Sequence, residues 1–311
     1  MYSSAFEMDV AGVRLFLCEG APGVSQEVER PGFIFYVGYP SDELRAKIRQ
    51  ILSFCLGDYL IYFGSTMLSE RSEVVSFSAI SPPSIGNVSE ILVVPPAPLF
   101  DGERVIAEQD IIARMANAIY SHYDELQFDS LSWAYWHARC APVHMAAAHY
   151  GAALEGLLSS YMDAYPERLK KALIPKDDAI WENLRKAFQT AIDAVELEPK
   201  VSAILTNKVN SNLNQTPLSV LFEKMLADIG ITLGEVESKA WKSRNVAAHG
   251  GELDLDSFIP TIKNTNLLMI ILHRIILKIS GASDLYYDDY TIGHAIRNVT
   301  DPVPSPSSTP G

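Results

Sequence analysis

Arg244, Asn245 and His249 fall within six positions in the run RNVAAHGG at 244–251. Arginine supplies a planar, permanently charged guanidinium whose forked donors match phosphate oxygens. Histidine, with an ordinary pKa of about 6.5, can give or take a proton at neutral pH. Asparagine does no acid–base work, but its amide can position a phosphate or fix the tautomer of a nearby imidazole. The trio suits chemistry on an anionic group, with no metal or other cofactor called for.

The same residues close a helical pattern over 234–249, and the Gly250-Gly251 step after His249 ends it. At about 100° per residue, positions five apart diverge by roughly 140°, so Arg244 and His249 do not project from one face. One chain alone makes an awkward pair. His249 is expected at the helix terminus, where the last carbonyls favour a cation. A plainer reading of the same residues pairs Arg244 with Glu237 or Asp254 on the surface and makes His249 a helix cap.

Two sets of elements would have to position this run. Over the first hundred residues, VRLFLCE, GFIFYVGY, DYLIYFG, EVVSFSAI and EILVVP are rich in β-branched and aromatic side chains and read as strands. A helix at 41–58 interrupts them: Ser41 can cap it, Leu44, Ile48, Leu52 and Cys55 recur at helical spacing, and Gly57 stops it. The proline-rich stretch PPAPLFDGE at 95–103 is expected to be extended and then to turn, and it is taken as a domain boundary. Beyond it, helices are predicted at 107–126, at 131–164 with a break at Pro142, and at 177–196, 217–228, 234–249 and 257–280. Thr216-Pro217 reads as a capped helix start and Gly230 as its end. The predicted organisation is an α+β domain over 1–103, an all-α bundle over 104–280, and an acidic segment with a disordered tail over 281–311. Internal repeats and Gly-rich phosphate loops are not evident.

The 311 residues carry 25 basic and 38 acidic side chains, a formal charge of −13 that argues against a broad basic face for duplex DNA. Nucleic acid remains a candidate partner, because a few phosphates need only a local cationic site. The scattered cysteines, Cys18, Cys55 and Cys140, suggest neither a disulfide framework nor a zinc site, and a reducing cytoplasm fits. The most apolar run, LLMIIL at 267–272, is followed by His273 and Arg274 and is too short for a membrane span, so a buried helix is expected.

The run R-N-V-A-A-H-G resembles the R-x4-6-H motif of the HEPN superfamily, with the polar residue that commonly follows the arginine. HYGAALEGLLSSY at 149–161, NQTPLSVLFEKMLADIGITL at 214–233 and LRAKIRQILSFCLGDYLIYFGST at 44–66 are similar to stretches of its ApeA-like branch in bacteria. The resemblance covers most of residues 30–280. It implies a helical bundle that forms a homodimer, bringing two motifs into one composite site that cleaves RNA without metal, with Arg244 and His249 catalytic and Asn245 beside them. It also implies a setting in anti-phage defence, with tRNA among the candidate substrates, a phage component as the trigger, and the α+β domain as sensor or restraint. Gly251 departs from the toxin-type members that carry a tyrosine at that position. The alternative expectation is a non-catalytic HEPN-type module that binds a nucleotide, RNA or a protein.

Other residues invite weaker assignments. Glu155 is a candidate to orient Arg244, and Lys208 and Asn210, in a segment read as the polar loop NKVNSNLNQ at 207–215, are candidates to meet RNA. His144, His149 and Glu155 have spacings that do not stack on one helical face, so they are expected to be ordinary histidines and a carboxylate, with no metal. In SWAYWHAR at 132–139, Trp133, Trp136 and His137 recur at helical spacing and are expected to pack in the core, in preference to stacking bases.

Overall fold

The computed structural model describes residues 5–18, 32–80, 94–101, 106–248 and 258–305. Among them the chain begins β1 (Ala5–Val10), β2 (Val13–Cys18), β3 (Phe33–Tyr36), α1 (Asp42–Leu56), β4 (Gly64–Leu68) and β5 (Val74–Ala79). Helices follow: α2 (Gln109–Ser121), α3 (Phe128–Cys140), α4 (Val143–Ala164), α5 (Ala179–Asp193), α6 (Pro199–Ser211), α7 (Leu218–Asp228), α8 (Glu235–Ala248) and α9 (Phe258–Ser280). A hairpin of β6 (Leu285–Asp288) and β7 (Ala295–Asn298) comes last. An α+β region thus precedes a helical one. Among the described residues no helix is long and apolar enough to cross a membrane.

The contacts divide the chain into two compact units, Met1–Leu154 with Ile231–Gly311, and Glu155–Gly230. The division falls inside α4 and after α7. The proline-rich stretch at 95–103 lies within the first unit, where Ala97 and Leu99 are buried.

In the first unit, β1, β2 and β3 form an antiparallel sheet in that order. Ala11 and Gly12 make the two-residue turn between β1 and β2, both with positive φ (54° and 73°), which matches the twist of a tight hairpin. Alanine is an uncommon occupant of that conformation, and Asn117 on α2 holds it there. The Asn117 carbonyl accepts from Ala11 N at 2.9 Å, and its amide donates to Asp9 O at 2.7 Å. α1 packs on α2 and α3. Ser41 caps it through Leu44 N at 3.2 Å, and Gly57 ends it in the left-handed conformation at φ 69°. Ile48, Leu52 and Cys55 are buried, as their spacing predicts. β4 and β5 form a separate hairpin whose side chains are largely exposed.

α9 is buried on all sides through its centre, with Leu267–Leu272 and Ile275–Leu277 inside. Its two polar side chains there are both partnered. His273 Nε2 meets the Tyr135 hydroxyl at 3.0 Å, inside an aromatic group in which Phe54 lies edge-on to Phe128, Tyr135 and His273. Burial, helped by the positive charge of Arg139, pulls the His273 pKa down to about 3. Arg274 is fully buried at 0 % exposure and forms an ion pair with Glu237, also at 0 %. Its Nε donates to Val299 O at 2.9 Å and its Nη2 to Thr232 O at 3.0 Å, and its guanidinium lies 5.3 Å from the Tyr286 ring centroid. Glu237 also accepts from Gly234 N at 2.7 Å and Val303 N at 3.3 Å. Burial pushes its carboxyl upward, while Arg274 and these N–H donors pull it back towards the charged form.

Several expectations need correcting. The acidic segment after Gly281 forms β6 and β7 with Tyr286, Asp288 and Val299 buried, and of the tail from Pro302 expected to be disordered, Val303 is buried while 306–311 lie outside the described residues. Asp288 makes that folding possible by accepting from Thr291 Oγ1 at 2.8 Å and Arg297 Nε at 2.7 Å, so an acidic stretch carries its own partners. Residues 207–211 continue α6, and Asn214, which follows, is buried with its amide bonded to both Ile174 N and Ile174 O. Thr216 does not cap α7. Its hydroxyl donates to Lys170 O at 3.1 Å, and Pro217 occupies the cap position. The run DYLIYFG is irregular until Gly64, and EILVVP lies largely outside the described residues. Trp136 is buried, but Trp133 is exposed and stacks on His137 with ring centroids 3.8 Å apart.

Two measurements test this core. Arg274→Met leaves a buried carboxylate unpaired and is expected to destabilise the fold by about 3–5 kcal/mol in urea denaturation, with Arg274→Met/Glu237→Leu recovering part of that loss. A single variant no less stable than the double one would contradict the pairing. His273 is neutral in the fold and has a folded pKa below its unfolded value, so its contribution is present above about pH 6.5. It fades as pH falls towards 3, by up to about 1.4 kcal/mol per unit. Stability curves at pH 7 and pH 5 are therefore expected to converge in His273→Gln relative to the parent chain.

Candidate functional site

Arg244 sits in the last turns of α8 with its side chain buried. Among the residues of this helix whose side chains are described, Glu237, Ala240, Trp241 and Arg244 are buried and recur at the helical i, i+3, i+4, i+7 spacing. The inward face is therefore half ionic. Glu237 is the third residue of the helix and its carboxylate takes the N–H of Gly234, which satisfies one of the donors a helix start leaves open.

Two turns after Glu237, Arg244 is anchored by Trp241. The Arg244 Cζ lies 3.5 Å from the Trp241 ring centroid, and Nη1 donates to Trp241 O at 2.8 Å. The aliphatic stem rests on Gly151 of α4. A Cβ built at Gly151 would stand 3.3 Å from Cβ and Cδ of Arg244, so only glycine lets the two helices approach this closely without adjustment. Next to it, Ser243 Oγ accepts from Asn264 Nδ2 of α9 at 3.3 Å. The guanidinium is thus held by a ring, a carbonyl and a packed stem, and its orientation is fixed before any ligand arrives.

The other sequence-derived residues are placed as follows. Asn245 lies on α8 directly after Arg244, and its side chain is outside the description. His249 and Asp254 lie outside the described residues. Arg244 and Glu237 do not form the surface pair considered from sequence: both are buried, and Glu237 is paired with Arg274. Glu155 belongs to the second unit, as do Lys208 and Asn210, which are exposed on α6, so none of the three shares a unit with Arg244. His149 is half-buried on α4. Among the described residues no group of three or more His, Cys, Asp or Glu could hold a metal ion.

Trp241 and Gly151 were not singled out from the sequence. Trp241 precedes Arg244 by three, the spacing at which helical side chains meet. Gly151 is a glycine inside a helical pattern, a signal of close approach.

Overpacking is the direct test of this arrangement. Gly151→Val is expected to destabilise by about 1–3 kcal/mol, while Gly151→Ala, where helix propensity offsets a mild contact, should stay within about 1 kcal/mol of the parent. Equal stabilities of both variants in urea denaturation would show that the Arg244 stem does not rest on this glycine. Compared with known proteins, the chain matches no family model, no curated protein and no solved structure.

Proposed function

We propose that the chain is a metal-independent endoribonuclease of the HEPN type, with Arg244 and His249 from two protomers forming one composite R-x4-H site at a homodimer interface. The observation that carries this reading is the preset guanidinium of Arg244, stacked on Trp241 and bonded to its carbonyl, five positions ahead of a histidine. A cation held in a fixed orientation stabilises charge as it develops on phosphorus without reorganising at the moment of reaction.

The chemistry follows from the residue types. One His249 takes the proton of a 2′-hydroxyl, O2′ attacks the adjacent phosphorus, and the P–O5′ bond breaks. The other His249, protonated, gives its proton to the departing 5′-oxygen. The products are a 2′,3′-cyclic phosphate and a free 5′-hydroxyl. Arg244 neutralises the charge on the non-bridging oxygens, and Asn245 orients the phosphate or the imidazole. The setting that suits this activity is anti-phage defence or abortive infection, with the N-terminal α+β region as sensor or restraint on an otherwise toxic nuclease.

The burial of Arg244 favours a second reading, a non-catalytic HEPN-type module that binds a nucleotide, RNA or a protein. In that case the guanidinium organises the α8 surface and no proton moves. The two readings place different demands on His249. Catalysis requires proton transfer there, whereas binding tolerates His249→Gln better than Arg244→Ala.

The test is incubation of the purified chain with total cellular RNA and tRNA in excess EDTA, followed by analysis of the fragment ends. Discrete cuts ending in cyclic or 3′-phosphate are expected, and both Arg244→Ala and His249→Ala should lower the rate by about 10²–10⁴. An unchanged rate in His249→Ala would remove the nuclease assignment.

A further inference from the structure

The second unit carries an apolar surface that its own fold does not cover. Of α5 only Trp181 is buried, and of α6 only Val209. The two helices pack on each other, and Gln189 of α5 donates to Thr206 Oγ1 of α6 at 3.2 Å. Yet Ile180, Leu184 and Phe188 are 60, 40 and 43 % exposed. Ile180 and Leu184 with Ala187 and Ala191, also exposed, give the spacing 180, 184, 187, 191, a 4-3-4 repeat that lines up as the seam of a paired helix, and Phe188 flanks it.

We propose that this face of α5 is the contact for a second copy of the same chain, packed antiparallel about a two-fold axis near Ala187. Three observations select a copy of this chain over another partner. An isologous contact sets the same patch against itself, so like charges on it would repel. The seam and its two flanking positions on one side, Asn183 and Thr190, carry no charge in a chain whose net charge is −13. The charges of α5 lie away from the seam: Arg185 and Lys186 pair with Glu182 at 2.9 and 3.4 Å, and Asp193 accepts from the Gln189 amide at 2.9 Å. Finally, the seam is large at one end, Ile180 and Leu184, and small at the other, Ala187 and Ala191, so an antiparallel copy sets Leu184 against Ala191 of the other chain and lets the helices approach closely at Ala187.

The size of the patch sets the strength. α5 has 15 residues and so is about 22 Å long, and one helix pair of that length falls short of the roughly 1,000 Å² that a stable interface clears. Association is therefore concentration-dependent and weak. It uses residues separate from Arg244 and His249, and it does not rest on the nuclease reading. If the motif face also dimerises, the α5 contact joins those dimers in turn.

Two measurements on the full chain test it. In sedimentation equilibrium across the micromolar range, the parent mass is expected to rise with concentration to at least twice the limit reached by Leu184→Glu/Phe188→Glu, whose substitutions fall on exposed positions. In mild oxidation, Ala187→Cys is expected to give a reductant-sensitive dimer well above the background from the exposed Cys140. Lys186→Cys, one residue away and off the seam, should stay at that background. Equal cross-linking by the two cysteine variants, or a parent mass that follows the double variant at every concentration, would overturn the proposal in favour of another occupant of the face.

Discussion

The buried pair of Arg274 and Glu237 is the constraint on which the first unit turns. Taking both charges out of water is costly, and mutual attraction offsets it only when the remaining donors and acceptors are also used. They are used here. Arg274 reaches Val299 O, Thr232 O and Glu237 on three sides, and Glu237 adds the N–H groups of Gly234 and Val303. Those partners come from α9, the start of α8, the irregular segment between α7 and α8 and the segment after β7, so one ionic knot sets the relative placement of pieces far apart in sequence. Gly234 is part of it, because a Cβ there would come within 2.9 Å of Val303 O. The knot acts as a register pin: apolar residues could slide past one another along α9, but a guanidinium with three fixed acceptors cannot.

This same knot explains where the sequence was legible and where it was not. α1 was readable because each rule pointed one way: Ser41 to cap, Ile48, Leu52 and Cys55 inward, Gly57 to stop. The buried α9 was readable from its apolar run. α8 as a core element was not, since its inward face is Glu237, Ala240, Trp241 and Arg244, and a pattern that assigns charges to solvent turns that face outwards. The pairing of β6 with β7 was not read from the sequence, for the same reason. Its stability comes from Asp288 with Arg297 and from the carbonyls and N–H groups offered to Arg274 and Glu237, and a count of apolar side chains does not register those. The end of α6 reads as a loop because Asn207, Asn210 and Ser211 are weak helix formers, and the neighbouring turns of the helix override them.

At the candidate site, the type and spacing of Arg244, Asn245 and His249 were legible, but the setting of Arg244 was not. Stacking on Trp241 and the opening left by Gly151 are tertiary facts with only faint local signals. Their consequence is mechanical. α8 is fixed at its first turn by Glu237 and near its last by Arg244, and both anchors project from one face. A helix pinned at two points two turns apart cannot rotate about its axis. Pinning a charged side chain inside in this way sacrifices the freedom an exposed arginine would keep. What it gains is a guanidinium whose orientation is already decided by the fold.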